Sequence, residues 1–291
     1  LGGHSIHKGL IVYFSQTRST ARVAERIAAG LRGAGLEIEL CNIREGPPPD
    51  VRQYDLLGVG LPVYAFSSPF NMTEYVTSLP DLRGVSAFLF LTHGTYPFNA
   101  ADQIRKALSR KGASDVGFAC CRGADLYLPY LKRGYLFSPD HPTARELAEM
   151  EAFGGEVAAR MKGREHVGAW GDQPSSIIYR AERFLTSQWL VQKIWSRLFW
   201  VSKDKCNLCG ICISRCPAGN IILAKNGYPV WGHNCLLCLT CEMECPEEAI
   251  TSATSWRVLR PFITYNLRHA CLDPSIEHVK VTHRHGQTTR V

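Results

Sequence analysis

The sequence predicts an α/β domain built on a doubly wound parallel five-stranded sheet, followed by a small α+β module organised by cysteine. Three observations carry this. From Gly9 to about Gly163, apolar strand-like runs alternate with amphipathic helical ones, the pattern of a parallel sheet with helices on both faces. Eight of the 12 cysteines then fall in two runs with a constant offset. The length, 291 residues, is about twice the commonest domain size, so two unequal units are expected.

The elements follow in order. Strands fit near residues 10–15, 36–42, 56–61, 86–92 and 115–121, and helices fit 19–32, 69–78, 100–111 and 142–162, with a shorter one after Pro49. Ligands of such sheets sit at the carboxyl ends of the strands. The organisation reads as 9–163 for the sheet domain, 164–204 for a linker and an aromatic amphipathic helix, 205–251 for the cysteine module and 252–291 for a basic extension.

Hydrophobic residues make up 45% and charged residues 20% of the chain, enough apolar material for a core and little case for disorder. Two uncharged 18-residue runs, Leu56 to Thr73 and Gly84 to Ala101, contain Pro, Gly and polar residues, so no membrane span is expected. The apolar stretch from Gly9 to Phe14 is too short for a signal-peptide core, and a cytoplasmic location is the expectation. The net charge of +7 is unevenly spread, with an acidic segment at 206–250 between basic flanks. No strongly basic run interleaved with aromatics appears, and nucleic-acid binding is not expected.

The two cysteine runs are Cys206, Cys209, Cys212, Cys216 and Cys235, Cys238, Cys241, Cys245, each member offset from its counterpart by 29 residues. Each reads C-x2-C-x2-C-x3-C-P, closed by Pro217 or Pro246, which marks an internal duplication. Disulfides explain a cytoplasmic chain poorly. Structural zinc draws paired C-x2-C knuckles from separated segments, whereas three ligands at successive spacings of three wrap a larger cubane cluster. The segment from about Lys205 to Thr251 resembles the bacterial two-cluster ferredoxins. That resemblance implies two 4Fe-4S clusters in which the fourth cysteine of each run ligates the other cluster. Cluster I would take Cys206, Cys209, Cys212 and Cys245, and cluster II would take Cys235, Cys238, Cys241 and Cys216.

The first strand, Leu10 to Phe14, runs into Ser15, Gln16, Thr17, Arg18, Ser19 and Thr20 and then a helix, so hydroxyls and amides converge on a helix N-terminus, an anion site. This turn resembles the flavodoxin phosphate loop, which holds the phosphate of FMN. Arg18 stands where that family usually has Gly. If the turn needs a positive φ, Arg is costly there; if it does not, its guanidinium would compensate the phosphate. Two further segments, Pro62, Val63, Tyr64, Ala65, Phe66 and Thr92, His93, Gly94, Tyr96, Phe98, resemble flavodoxin loops that flank the flavin ring. The resemblance implies stacking by Tyr64, Phe66, Tyr96 and Phe98 and polar contacts from backbone groups; the alternative for any one aromatic is packing of its own loop. No G-x-G-x-x-G occurs, so a nicotinamide site is not indicated.

Residues 164–176, with Gly, Asp, Pro and Ser, read as a linker. Apolar spacings of three and four across Ile177 to Trp200 favour a helix, whose aromatic face would pack between the domains, with a homodimer contact next and a membrane surface as the remaining alternative. The tail is basic and polar; His283 and His285 read as a solvated terminus before a metal pair. The whole resembles flavodoxin-ferredoxin fusion proteins of anaerobes. That implies electron transfer between two 4Fe-4S clusters and FMN, with a redox partner protein as donor or acceptor. The alternatives are an FMN-dependent reductase of a small molecule fed by the clusters, and a sensor of oxygen or iron.

Overall fold

The computed structural model describes residues 7–163 and 177–291. The linker expected at 164–176 lies outside the described residues. The chain divides into two compact units, the first ending at Ala124 and resuming at Asp140, the second taking residues 125–139 and the chain from Ser175 onward.

The first unit is a parallel sheet of β1 (Lys8–Tyr13), β2 (Glu37–Asn42), β3 (Leu56–Pro62), β4 (Ser86–His93) and β5 (Ser114–Arg122) in the order β2-β1-β3-β4-β5. This is the flavodoxin-like doubly wound order. The connecting helices are α1 (Ser19–Gly33), α2 (Phe70–Ser78) and α3 (Asp102–Arg110). The expected elements all occur, and the segment after Pro49 forms a 3-10 turn, Val51–Gln53. Strands β1, β3 and β4 are buried along nearly their whole length, as central strands covered on both faces must be.

After β5 the chain crosses to the second unit, where it forms α4 (Leu128–Leu131) and β6 (Tyr135–Phe137), and returns as α5 (Ala144–Gly163). The span 9–163, read as one domain in sequence, is thus interrupted. The reason is strand pairing: β6 has no place in the parallel sheet and pairs antiparallel with a strand of the tail. Helix α5 packs on α1 at close range, because a Cβ on Gly30 would stand 1.9 Å from the Glu151 carbonyl oxygen and one on Gly154 2.3 Å from that of Ile27. Only glycine permits this approach.

The second unit opens with α6 (Ile177–Leu185), α7 (Gln188–Lys193), a 3-10 turn at Trp195–Arg197 and β7 (Phe199–Val201). One helix from Ile177 to Trp200 was the expectation, and the structure corrects it. Ser187 is extended (φ −60°, ψ 149°), and the run Phe-Trp-Val pairs as a strand with Ile250–Ser252, Trp200 opposite Thr251. Cross-strand pairing of β-forming residues overrides the helical spacing. Trp195 closes the break by donating its Nε1–H to the Leu185 carbonyl at 2.7 Å.

There follow α8 (Ile211–Ser214), β8 (Ile221–Leu223), β9 (Pro229–Trp231), α9 (Thr240–Met243) and β10 (Ile250–Ser252), then α10 (Arg260–Leu272) and a hairpin of β11 (His278–Arg284) and β12 (Gln287–Arg290). The tail is folded. β11 pairs with both β12 and β6.

Candidate functional site: two cysteine-lined centres and three strand-end loops

The 29-residue repeat is written into the backbone. Leu208 and Leu237, Gly210 and Leu239, and Gly219 and Glu248 are three pairs at that offset, all with positive φ. Each run is therefore wound through left-handed turns before a one-turn helix, α8 or α9, that carries its third cysteine. Four non-glycine residues accept this strain, about 1–2 kcal/mol apiece, which is the cost of curling the chain around a centre.

The thiols gather across the repeat and not within it. A cavity in the second unit is lined by Cys206, Cys209, Cys212 and, from the other run, Cys245. Burial pushes the Cys212 thiol up to about 11, helped by repulsion from Cys209, Cys245 and Cys206. Cys216 belongs with the second run: burial raises Cys235 to about 12, with further repulsion from Cys238 and Cys216. Cys241 is also driven up by burial, and by Cys238, Cys235 and Cys216. Four thiolates so placed repel one another unless a positively charged centre sits among them, and the donor set fits iron. Among the described residues no three His, Cys, Asp or Glu side chains converge as ligands of one ion.

Each fourth cysteine accepts a backbone N–H from four residues on, at 3.3 Å: Asn220 to Cys216 Sγ and Ala249 to Cys245 Sγ. The surroundings then differ. On the Cys216 side the Asn220 Oδ1 accepts the Asn234 N–H at 2.7 Å, while its Nδ2 is buried with no partner. Trp231 Nε1 is buried, and its N–H hydrogen-bonds toward Cys241, favouring that thiolate. Thr240 Oγ1 stands 3.3 Å from Cys238 Sγ. The repeat places Ala249 and Ile211 where Asn220 and Thr240 stand, so the first centre lacks these donors. Sequence reading missed Asn220 and Trp231; both lie between the runs, outside the cysteine spacing.

Next to Cys241, the buried Glu242 carboxylate pairs with Lys132, which caps the C-terminus of α4, and accepts the Ser252 N–H at 3.0 Å. His283 is half-buried and His285 exposed, and both are bonded into the fold. The His283 Nε2 stands 3.0 Å from the Met243 carbonyl oxygen and the His285 Nδ1 3.0 Å from that of Pro246, so the hairpin is laced to the second cysteine run.

In the first unit, the loops after β1, β3 and β4 share the carboxyl edge of three neighbouring strands, beside the switch in strand order between β1 and β3. Arg18 takes φ 67° immediately before α1, so this turn does require the left-handed conformation. Its guanidinium pairs with Glu25 at 3.3 Å on the exposed surface. Ser15 is buried and its Oγ accepts the Ala21 N–H at 3.2 Å. The amides of Thr17, Arg18, Ser19 and Thr20 find no acceptor among the described residues, and no acidic side chain occupies the first turn of α1. Those open N–H groups fit a phosphate. Thr17 is exposed, whereas Thr20 is buried and bonded to Thr92 at 2.7 Å.

The second loop turns tightly at Tyr64–Ser67, whose backbones exchange hydrogen bonds of 2.9 and 2.8 Å, with Ala65 and Phe66 at positive φ. The Tyr64 hydroxyl donates to Gln16 Oε1 at 2.5 Å and its ring meets Phe14 edge-on. Phe66 meets Phe98 of the third loop at 5.1 Å, and Tyr96 lies 5.5 Å from Phe98. The structure thus brings three of the four expected stacking residues, Phe66, Tyr96 and Phe98, into one cluster, with Tyr64 on the phosphate-turn side. Pro62 ends β3, where Val63 N–H donates to the Thr92 carbonyl at 2.9 Å. The His93 side chain faces inward to the Thr95 carbonyl at 3.0 Å, and burial pulls it down to about 4. It is neutral near pH 7. The Gly94 carbonyl lies toward Arg122, 3.5 Å from Nη1.

Comparison with known proteins agrees with both units. Residues 10–133 match the model of the flavodoxin domain, and residues 199–222 match that of the 4Fe-4S binding domain. The second match spans the first cysteine run alone. Similar solved structures include oxidised flavodoxin 1 from Bacillus cereus, 20% identical over 52% of this chain and 97% of that one, TM-score 0.42. Two-electron reduced Megasphaera elsdenii flavodoxin is 23% identical over 52% and 98%, TM-score 0.41. The flavodiiron protein from Giardia intestinalis is 20% identical over 56% and 38%, TM-score 0.42. No curated protein matches the chain.

Proposed function

From the premise that this chain joins a flavodoxin domain to a 4Fe-4S binding domain, and so has an electron-transfer role, we propose that it relays electrons between two 4Fe-4S clusters and FMN and exchanges them with a redox partner protein. The observation that carries the proposal is the lining of one cavity by Cys206, Cys209, Cys212 and Cys245. Three cysteines of one run and the last of the other are what cross-ligated twin clusters require. When bound, the clusters supply single-electron exchange and FMN exchange of one or two electrons.

The chain's residues prepare these sites. Cys206, Cys209, Cys212 and Cys245 would hold one cluster and Cys235, Cys238, Cys241 and Cys216 the other. The amides of Thr17 to Thr20 would receive the phosphate, with Ser15 fixing the turn from beneath. Phe66, Tyr96 and Phe98 would cover the ring, while Thr92, His93 and Gly94 border its polar edge through their backbones. A neutral His93 adds no charge there.

Metal and sulfide analysis of protein purified without oxygen tests the proposal. About eight iron and eight sulfide per chain are expected, from two four-iron clusters. Cys216→Ala should damage the cluster of the second run and Cys245→Ala that of the first. Stoichiometric zinc without sulfide would defeat the cluster reading, and loss confined to the substituted run would defeat the cross-ligation.

A further inference from the structure

The stretch from Ser252 to Leu272 has no role in holding a cofactor, yet it carries an unusual surface. Between Glu248 and Asp273 there is no acidic residue, while Arg257, Arg260 and Arg268 are all present. The turn at Arg257–Leu259 and α10 bring these three guanidinium groups to one groove of about 640 Å³, floored by Tyr265, His269 and Leu272. The opposite face of α10 is committed to the unit: Ile263 and Ala270 are buried, and Asn266 donates to the Glu182 carboxylate at 2.8 and 3.0 Å.

None of the three arginines makes an ion pair among the described residues. Several exposed arginines elsewhere are matched, as Arg52 with Asp50, Arg83 with Asp81 and Arg145 with Glu149. Three unmatched cations on one face repel each other and lower stability slightly, so an anionic counterpart is the natural complement. Exposed apolar side chains share this stretch, Trp256 at 41% and Val258 at 67% on either side of Arg257 in sequence and Leu272 of the groove lining at 82% exposure. Apolar surface beside the cations favours a macromolecule over a single small anion. From Arg257 to Leu272 the face runs on the order of 20 Å at a helical rise, a length that matches a row of carboxylates and exceeds one phosphate.

We propose that this groove is the docking surface for an acidic electron-carrier protein. The inference rests on the electron-transfer reading above and adds the face and the charge of the partner. In the exchange the reduced carrier loses one electron and a cluster gains it; no bond forms or breaks. The arginines steer and orient the carrier and take no part in the transfer.

The test uses the full-length protein and a plant-type 2Fe-2S ferredoxin, an acidic one-electron carrier, labelled for fluorescence anisotropy so that binding is read without electron flow. The wild type is expected to bind and to weaken with added salt. Changing Arg257, Arg260 and Arg268 together to Glu should weaken binding about tenfold or more, and changing them to Gln should give an intermediate loss. Circular dichroism and sulfide content must match the wild type. Binding that is unchanged in both triple variants would overturn the proposal. So would displacement of the carrier by low-millimolar inorganic phosphate, which marks a small-anion site, or flotation with anionic vesicles that the Glu variant loses, which marks a lipid surface. Absence of iron and sulfide would defeat the electron-transfer reading by itself, while the anisotropy would still decide whether an acidic carrier docks.

Discussion

The Oγ1 atoms of Thr20 and Thr92 lie 2.7 Å apart, both buried, and join the first turn of α1 to the end of β4. One hydrogen bond thereby ties the turn before α1 to the strand that introduces the third loop. Thr20 acts as a tie between two loops, and the hydroxyl left exposed to a ligand is that of Thr17.

Thr92→Val keeps the shape and removes the tie, leaving the Thr20 hydroxyl buried without its partner. Urea unfolding of the FMN-free protein should show a loss of about 1–3 kcal/mol. Thr17→Ala should change stability by less than about 0.5 kcal/mol and weaken FMN binding several-fold, read by flavin fluorescence quenching. Equal stability loss in both variants would contradict this division of roles.

His93 makes the first unit acid-sensitive. Its folded pKa, near 4, lies below the ordinary 6.5 because burial disfavours the charged ring, with Arg122 opposing the charge as well. The unfolded chain therefore binds the proton first. This contribution to stability is complete above pH 6.5 and is lost as pH falls from about 6.5 toward 4, by up to about 3 kcal/mol. His93→Asn should flatten that limb in a series of urea midpoints against pH, and an unchanged slope would count against it.

Lys132 belongs to the part of the second unit that lies between β5 and α5 in sequence, and its partner Glu242 is buried beside Cys241. Lys132→Ala strands a buried carboxylate. The cost for a buried pair is about 3–5 kcal/mol, and partial exposure of Lys132 reduces it to about 2 kcal/mol. Loss of iron on storage should rise in Lys132→Ala and recover in the double variant Lys132→Ala, Glu242→Gln. No recovery would show that the lysine acts otherwise.

Trp231 directs a buried N–H to Cys241, and the Asn220 Nδ2 is buried without a partner on the Cys216 side. Donors to cluster sulfur stabilise the reduced, more negative form. Trp231→Phe should lower the midpoint of the second-run cluster by roughly 40 mV, the one-electron equivalent of about 1 kcal/mol, with iron content unchanged. Cluster I should not move.

The parallel sheet and the cysteine runs were legible because both are local patterns: alternating apolar runs from Leu10 to Arg122, and cysteines at fixed spacing. What was not legible depends on pairing across long separations. The three residues of β6 become a strand only because Lys280, Val279 and His278 lie opposite, and Phe199 to Val201 leave their helical spacing only because β10 is there to pair. Arg18 was legible as an anomaly. Its left-handed φ, required by the turn, is a backbone property that side-chain identity alone does not declare. Asn220 and Trp231 carry no spacing signal at all.

Anaerobic reductive titration of the full chain, with flavin and cluster absorbance followed separately, tests the central claim most directly. About four electron equivalents per chain are expected, one for each of two clusters and two for FMN, with electrons given to the clusters appearing at the flavin. Uptake of two equivalents by the flavin alone, or clusters that stay reduced beside an oxidised flavin, would contradict the relay.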